Sequence, residues 1–180
     1  IEYLRPFVSS ELVVARETNL LGSLGTVRGV AAKHEPAGVL VMHCDNYTGF
    51  DLSCALDPPP GFPVSVVCFH SEVSNSVGRL EIDSDVNQIT GWFEKDPAAG
   101  PGWASNAIYS FDGVALDDIA GAEGSDLITE WLLPNCIDDG CLPAAPVYNT
   151  HGNIDIGTFE ALKGAQAPVC DTDFGRYLPR

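Results

Sequence analysis

An α/β domain built on a mixed sheet is the fold class this sequence predicts, and three observations carry it. Short apolar runs of strand length alternate with helix-length segments over most of the chain. One pair of runs, Leu80–Asp83 and Ile89–Glu94, brackets Ser84-Asp85-Val86-Asn87 and reads as an antiparallel hairpin set into that alternation. Val39 to His43 is continuously apolar, the pattern of a central strand buried on both faces. Hydrophobic residues make up 45% of the 180 positions, enough to fill a core, and the length suits one domain.

Taken in order, Ile1, Leu4 and Phe7 stand at helical spacing, so Ile1 to Phe7 reads as the end of an amphipathic helix and the chain as part of something longer or processed. Glu11 to Ala15 is a strand candidate centred on Leu12, Val13 and Val14. Asn19 to Thr26 is a loop opening a helix over Gly25 to Lys33. Val39 to His43 follows as a strand, then Asp51 to Leu56 as one or two helical turns stopped by Pro58-Pro59-Pro60-Gly61. Pro63 to Phe69 is a Val-rich strand, and the hairpin comes next. Ala107 to Phe111 is another strand. Val114 to Ile119 is a helix capped by Asp112, and Asp126 to Leu133 one capped by Ser125 and ended by Pro134. Val147 and Ile154 mark two late edge strands, and Phe159 to Ala165 is the last helix. The domain spans residues 1–165, residues 166–180 form a tail, and there is no internal repeat.

The net charge is −16. Such a surface repels nucleic acid and anionic lipid, which excludes both as partners at this stage. It also opposes a nucleotide, so a site for one needs a metal ion and local cations. Three of the six cysteines, Cys44, Cys54 and Cys68, lie in or beside apolar runs and read as small apolar side chains. Cys136 and Cys141 flank Asp138-Asp139-Gly140; free surface thiols are expected there, a local disulfide or half a metal site being the alternatives. His34, His70 and His151 have no partners at ligand spacing and read as surface or packing residues. Without a signal-peptide pattern or a membrane-length apolar run, the expected location is the cytoplasm.

Several strand candidates end in polar groups, and in open α/β sheets ligands bind beyond the carboxyl ends of strands. Asp45 follows the run Val39 to His43, and Asp155 follows Ile154. Magnesium takes hard oxygen ligands, commonly one or two carboxylates with phosphate oxygens and water, so this pair is the metal candidate. Glu94 ends the strand Ile89 to Glu94, and Lys95 follows it: a carboxylate accepts from two hydroxyls, an ammonium is a point charge for phosphate. Asn106 opens the strand Ala107 to Phe111. Gly78 precedes the strand Arg79 to Ile82, and Gly22 lies in Gly22-Ser23-Leu24-Gly25-Thr26, a glycine pair ahead of a helix.

The order and spacing of Gly91-Trp92-Phe93-Glu94-Lys95, Ser105-Asn106-Ala107-Ile108-Tyr109 and Asn153-Ile154-Asp155-Ile156-Gly157-Thr158, with His43-Cys44-Asp45-Asn46 upstream, resemble the sugar-1-phosphate nucleotidyltransferases, from about Leu4 to about Ala165. The resemblance implies a Rossmann-like mixed sheet whose N-terminal βαβ portion, with the Gly-x-Gly-Thr-Arg loop and later Pro-Lys, is missing here. It implies transfer of a nucleotidyl group from an NTP to a sugar 1-phosphate. Asp45 and Asp155 would hold Mg2+, Lys95 the sugar phosphate, Glu94 and Asn106 the sugar hydroxyls, and Gly22 and Gly78 substrate-binding turns. The lean within the family is toward guanylyltransferases of the mannose and heptose type. Two departures stand out: Asn106-Ala107-Ile108-Tyr109 is one residue shorter than the family's Asn-Ala-Gly-Ile-Tyr, and Val77 replaces an aromatic before Gly78. The missing loop leaves a second expectation, a non-catalytic sugar-nucleotide-binding or regulatory subunit, and a third, a half-enzyme completed by another chain. A homo-oligomer, an N-terminal segment or a partner is expected to cover the open edge of the strand Val39 to Met42.

Overall fold

The computed structural model describes residues 11–122, 126–138, 141–151 and 153–170, with side chains to 165. Expectations on Ile1 to Phe7, on Ser125 as a cap and on residues 171–180 fall outside them.

The sheet is organised by its longest strand. Eleven residues, Gly102–Asp112, form β6, whose two sides are used differently. One side carries β3 (Val64–Ser71) antiparallel along most of its length, and β7 (Ala144–Asn149) adds to β3 in parallel. The other side is shared. β1 (Gly38–Met42) pairs antiparallel with the second half of β6, from Gly38 opposite Asp112 to Met42 opposite Ile108. β4 (Gly78–Asp83) begins beside the first half, with Arg79 opposite Ala104, and carries β5 (Gln88–Glu94) as its hairpin partner. Thus β1 ends where β4 starts, and a break opens between them against the middle of β6. A separate two-stranded ribbon joins β2 (Asn46–Thr48) to β8 (Asn153–Asp155).

This is the mixed α/β sheet expected, with several corrections. β1 is half-exposed rather than buried on both faces, because β6 is its one strand partner among the described residues. An apolar run reports side-chain character and cannot reveal how many neighbours a strand has. Glu11 to Ala15 forms no strand. β6 starts at Gly102, five residues before Ala107, since pairing with β3 and β4 recruits Trp103, Ala104 and Ser105 despite their mixed character. Ile154 belongs to the ribbon rather than to an edge of the main sheet.

Three helices cover one face. α1 (Gly22–His34) begins three residues before the expected Gly25 and stops at Glu35, whose left-handed φ of 46° breaks the helix. α2 (Gly113–Gly121) starts on Asp112, whose carboxylate accepts from the Val114 and Ala115 amides at 2.9 and 3.0 Å. At α3 (Ile128–Leu132), Glu130 reaches back to accept from the Asp126 and Leu127 amides, both at 3.2 Å. Pro134 does not end this helix. The chain widens into a π turn over Leu133–Asp138, and the Asn135 side-chain amide donates to the Trp131 carbonyl at 2.8 Å. Leu24 and Val27 of α1, Leu116 and Ile119 of α2, and Ile128 and Trp131 of α3 pack on Val66, Tyr109 and Phe111. The opposite face has a smaller cluster, Ala55, Val67 and Ile108, beneath the 3-10 turn Leu52–Ala55. α4 (Phe159–Cys170) starts on Thr158, whose hydroxyl accepts from the Ala161 amide. Among the described residues no helix is long and apolar enough to cross a membrane.

The cysteines divide differently from the expectation. Cys44 and Cys54 are exposed free thiols, Cys141 is exposed, and Cys136 is a free thiol wholly buried rather than on the surface. Burial pushes Cys68 up to about 12, and burial with the nearby Asp118 charge does the same to Cys136, from an ordinary value of 9.0. The unfolded chain therefore gives up these protons first as pH rises. Stability from both thiols is intact below about pH 9 and is lost between about 9 and 12. Urea midpoints should fall across that window, and the Cys68→Ala, Cys136→Ala double variant, less stable at neutral pH, should show a shallower fall.

Candidate functional site

A cleft of about 460 Å3 sits over the break between β1 and β4. Its floor is the middle of β6, where Ser105, Ala107 and Tyr109 face it. Ala107 has a φ of 51° and lies in a bulge, since β6 has three residues between Ser105 and Tyr109 where β3 has one between Cys68 and Val66. His43 leaves β1 over this floor: its amide donates to the Ala107 carbonyl at 3.2 Å and its ring stands edge-on to Tyr109, centroids 6.3 Å apart.

One wall is the β2–β8 ribbon. Register places Asn46 opposite Asp155, and the Ile156 amide donates to the Asp45 carbonyl at 2.8 Å. Both carboxylates turn toward Gly157. A Cβ on that glycine would meet Asp45 Oδ2 at 2.9 Å and Asp155 Oδ1 at 3.0 Å, so the two oxygens lie within 3.0 Å of one point. The Gly157 amide also donates to Asp155 Oδ1 at 2.7 Å. Among the described residues no group of three or more His, Cys, Asp and Glu side chains is placed to hold a metal.

The facing wall is the start of β4 and the end of β5. Gly78 lies beneath Trp92 and Glu94, where a Cβ would come within 2.8 Å of Trp92 Nε1 and 2.9 Å of Glu94 Oε2. Glycine is required there by close approach. Trp92 Nε1 donates to Glu94 Oε2 at 3.1 Å, which fixes the carboxylate at the cleft edge. A third side comes from Ser23 and the start of α3, with Leu127, Ile128 and Thr129. Tyr109, nearly buried, has its phenol pushed above its ordinary value by burial, against a lowering from its Ser105 hydrogen bond and with a further rise from the Glu94 charge.

Of the residues singled out from sequence, Asp45, Gly78, Glu94 and Asp155 therefore meet in one cleft, and three do not line it. Gly22 opens α1 with a φ of 70° and lies against the Asp126 carbonyl, so its role here is helix packing, and its neighbour Ser23 reaches the cleft. Lys95 is exposed just past Glu94, with a φ of 52° and its amide bonded to the Val77 carbonyl at 3.1 Å. Asn106 is fully buried, because Ser105 and Ala107 take the cleft side of β6 and turn it away. Sequence reasoning overlooked His43, Trp92, Ser105 and Tyr109. The spacing of Ser105, Ala107 and Tyr109 at alternate positions was the available signal for one strand face.

The architecture thus defines a mixed-sheet α/β protein with a polar cleft at a break between strands. Solved structures that share this fold include HddC from Yersinia pseudotuberculosis, with a TM-score of 0.68 at 20% identity over 91% of this chain and 70% of that one, and the same protein complexed with GMP-PN, with a TM-score of 0.65 at 20% identity over 88% and 67%. No protein-family model and no curated protein sequence matches the chain.

Proposed function

We propose that this protein transfers a nucleotidyl group from an NTP to a sugar 1-phosphate, releasing pyrophosphate. The observation that supports it most directly is the convergence of Asp45 and Asp155 on the space above Gly157, opposite Glu94. Two carboxylates over a position without a side chain suit a hard divalent cation such as Mg2+, and Asp45 and Asp155 would hold it. When bound, such an ion supplies neutralisation of phosphate charge. Glu94, oriented by Trp92, would accept from sugar hydroxyls. A sugar phosphate is already ionised at neutral pH, so the cleft has to align it rather than deprotonate it. Lys95 would meet the sugar phosphate from the rim. The HddC structure with GMP-PN supports a nucleotide as the other ligand.

A second reading draws on a different observation. Among the described residues, no Lys or Arg lines the cleft. A triphosphate gains little grip from such a wall, whereas an NDP-sugar carries less charge to neutralise, so a non-catalytic sugar-nucleotide-binding subunit follows naturally.

Pyrophosphate release from each of the four NTPs, with Mg2+ and a panel of sugar 1-phosphates, separates the two. Release dependent on both substrates supports transfer. Calorimetric binding of an NDP-sugar without release supports the second reading, and neither result overturns both. Gly157→Ala adds a check on the metal: its methyl would occupy the point the carboxylates face. Mn2+ affinity should drop about tenfold or more while the thermal midpoint barely moves.

A further inference from the structure

We propose that Asn106 and Asn149 are positioning residues for the Asp45–Asp155 pair, acting as a buried amide tether between the main sheet and the β2–β8 ribbon; this rests on the reading of that pair as a ligand site. The ribbon has two strands of three residues each, too short to hold a fixed geometry unaided. Its own cross-links are local: Asn153 Nδ2 donates to Asn46 Oδ1 at 2.7 Å, and the Ile156 amide to the Asp45 carbonyl. Something must fix the ribbon to the sheet.

Asn149, buried at the end of β7, makes that connection. Its Nδ2 donates to Thr48 Oγ1 on β2 at 3.1 Å and to Asn106 Oδ1 on β6 at 3.4 Å. Its Oδ1 accepts from the His151 amide at 2.8 Å and so shapes the turn that leads into β8. One side chain therefore touches β2 and the turn into β8, both at the Thr48–Asn153 end of the ribbon, and the sheet's longest strand. Asn106 is 0% exposed, and its Nδ2 has no hydrogen-bond partner among the described residues. A leucine would fill such a place without leaving a buried donor unmet. What the asparagine supplies is the acceptor that holds Asn149 in line with Thr48. The chain from β6 through Asn149 to Thr48, then across the ribbon from Asn46 to Asp155, places the carboxylates relative to the cleft floor.

Hydrogen exchange at residues 46–48 and 153–156, compared with β3, tests the tether in the full chain, and Mn2+ titration reads the site. Thr48→Val keeps shape and strand preference but removes the hydroxyl acceptor, and Thr48→Ser restores it. Asn106→Leu removes the anchor. Asn106→Leu and Thr48→Val should each raise ribbon exchange about tenfold with β3 unchanged, and weaken Mn2+ binding by a similar factor, as loss of outer support to a metal site does. Thr48→Ser should return both toward wild type. Ribbon exchange at wild-type rates in both Asn106→Leu and Thr48→Val overturns the tether. If Asn106→Leu does not fold, the Val and Ser variants at half-exposed Thr48 decide alone. Wild-type protein without Mn2+ affinity would overturn the metal reading instead, and ribbon exchange would then be the deciding measurement for the tether.

Discussion

Asp155→Asn is expected to lower divalent-cation affinity and pyrophosphate release by at least about a hundredfold while leaving the fold intact. Outer partners of a metal ligand are typically worth ten- to a hundredfold, so loss of a ligand itself should cost at least as much. The carboxylate is exposed and its hydrogen bond among the described residues is local, from the Gly157 amide, which the asparagine oxygen can still accept. The packing lost is therefore small. Mn2+ titration and a urea melt on the same variant check the two halves. A large drop in the urea midpoint with unchanged Mn2+ affinity would make Asp155 a loop cap, a common role for an aspartate at a strand end.

Trp131→Ala should have the largest effect on stability, about 3–5 kcal/mol. The indole is 1% exposed, stands edge-on to Phe111 with centroids 5.8 Å apart, and donates from Nε1 to Asp118 Oδ2 at 2.8 Å. Alanine removes the ring from the interface between α3 and the sheet and leaves the Asp118 carboxylate without that donor. Domains of this size are stable by only about 5–15 kcal/mol, so a large part of the total goes with one side chain. Trp131→Phe keeps most of the ring and loses the hydrogen bond, so its urea midpoint should fall between the two. Equal losses for Phe and Ala would assign the effect to the hydrogen bond rather than to the packing.

How far the sequence could be read depended on how local each signal was. Strand identity is local: Val64 to Phe69 is Val-rich, and Asp112 announces the start of α2 through its cap. The two aspartates were legible because both stand at strand ends in the register of the family the sequence resembles, and Gly78 and Glu94 were legible through the same resemblance. Asn106 was placed at the opening of a strand, where a polar side chain can face a ligand. It lies instead inside β6, since Gly102 to Ser105 become strand only through partners that their own sequence does not disclose. The same limit hid β2 and β8, which are three residues each and exist as a pair. Pro134 is the converse case, a strong local stop signal that the π turn and the Asn135 amide accommodate.

The ribbon has one more consequence, which concerns the chain as a polymer. Asp45 and Asp155 lie far apart along the described chain, and residue 46 pairs with residue 155 only when nearly everything between them is in place. Closing a flexible loop of that length costs about 4 kcal/mol in chain entropy, before any further constant is added. Whatever bridges the two carboxylates spans that closure. Such a bridge would act as a reversible crosslink between distant parts of the chain and return its binding free energy as resistance to unfolding.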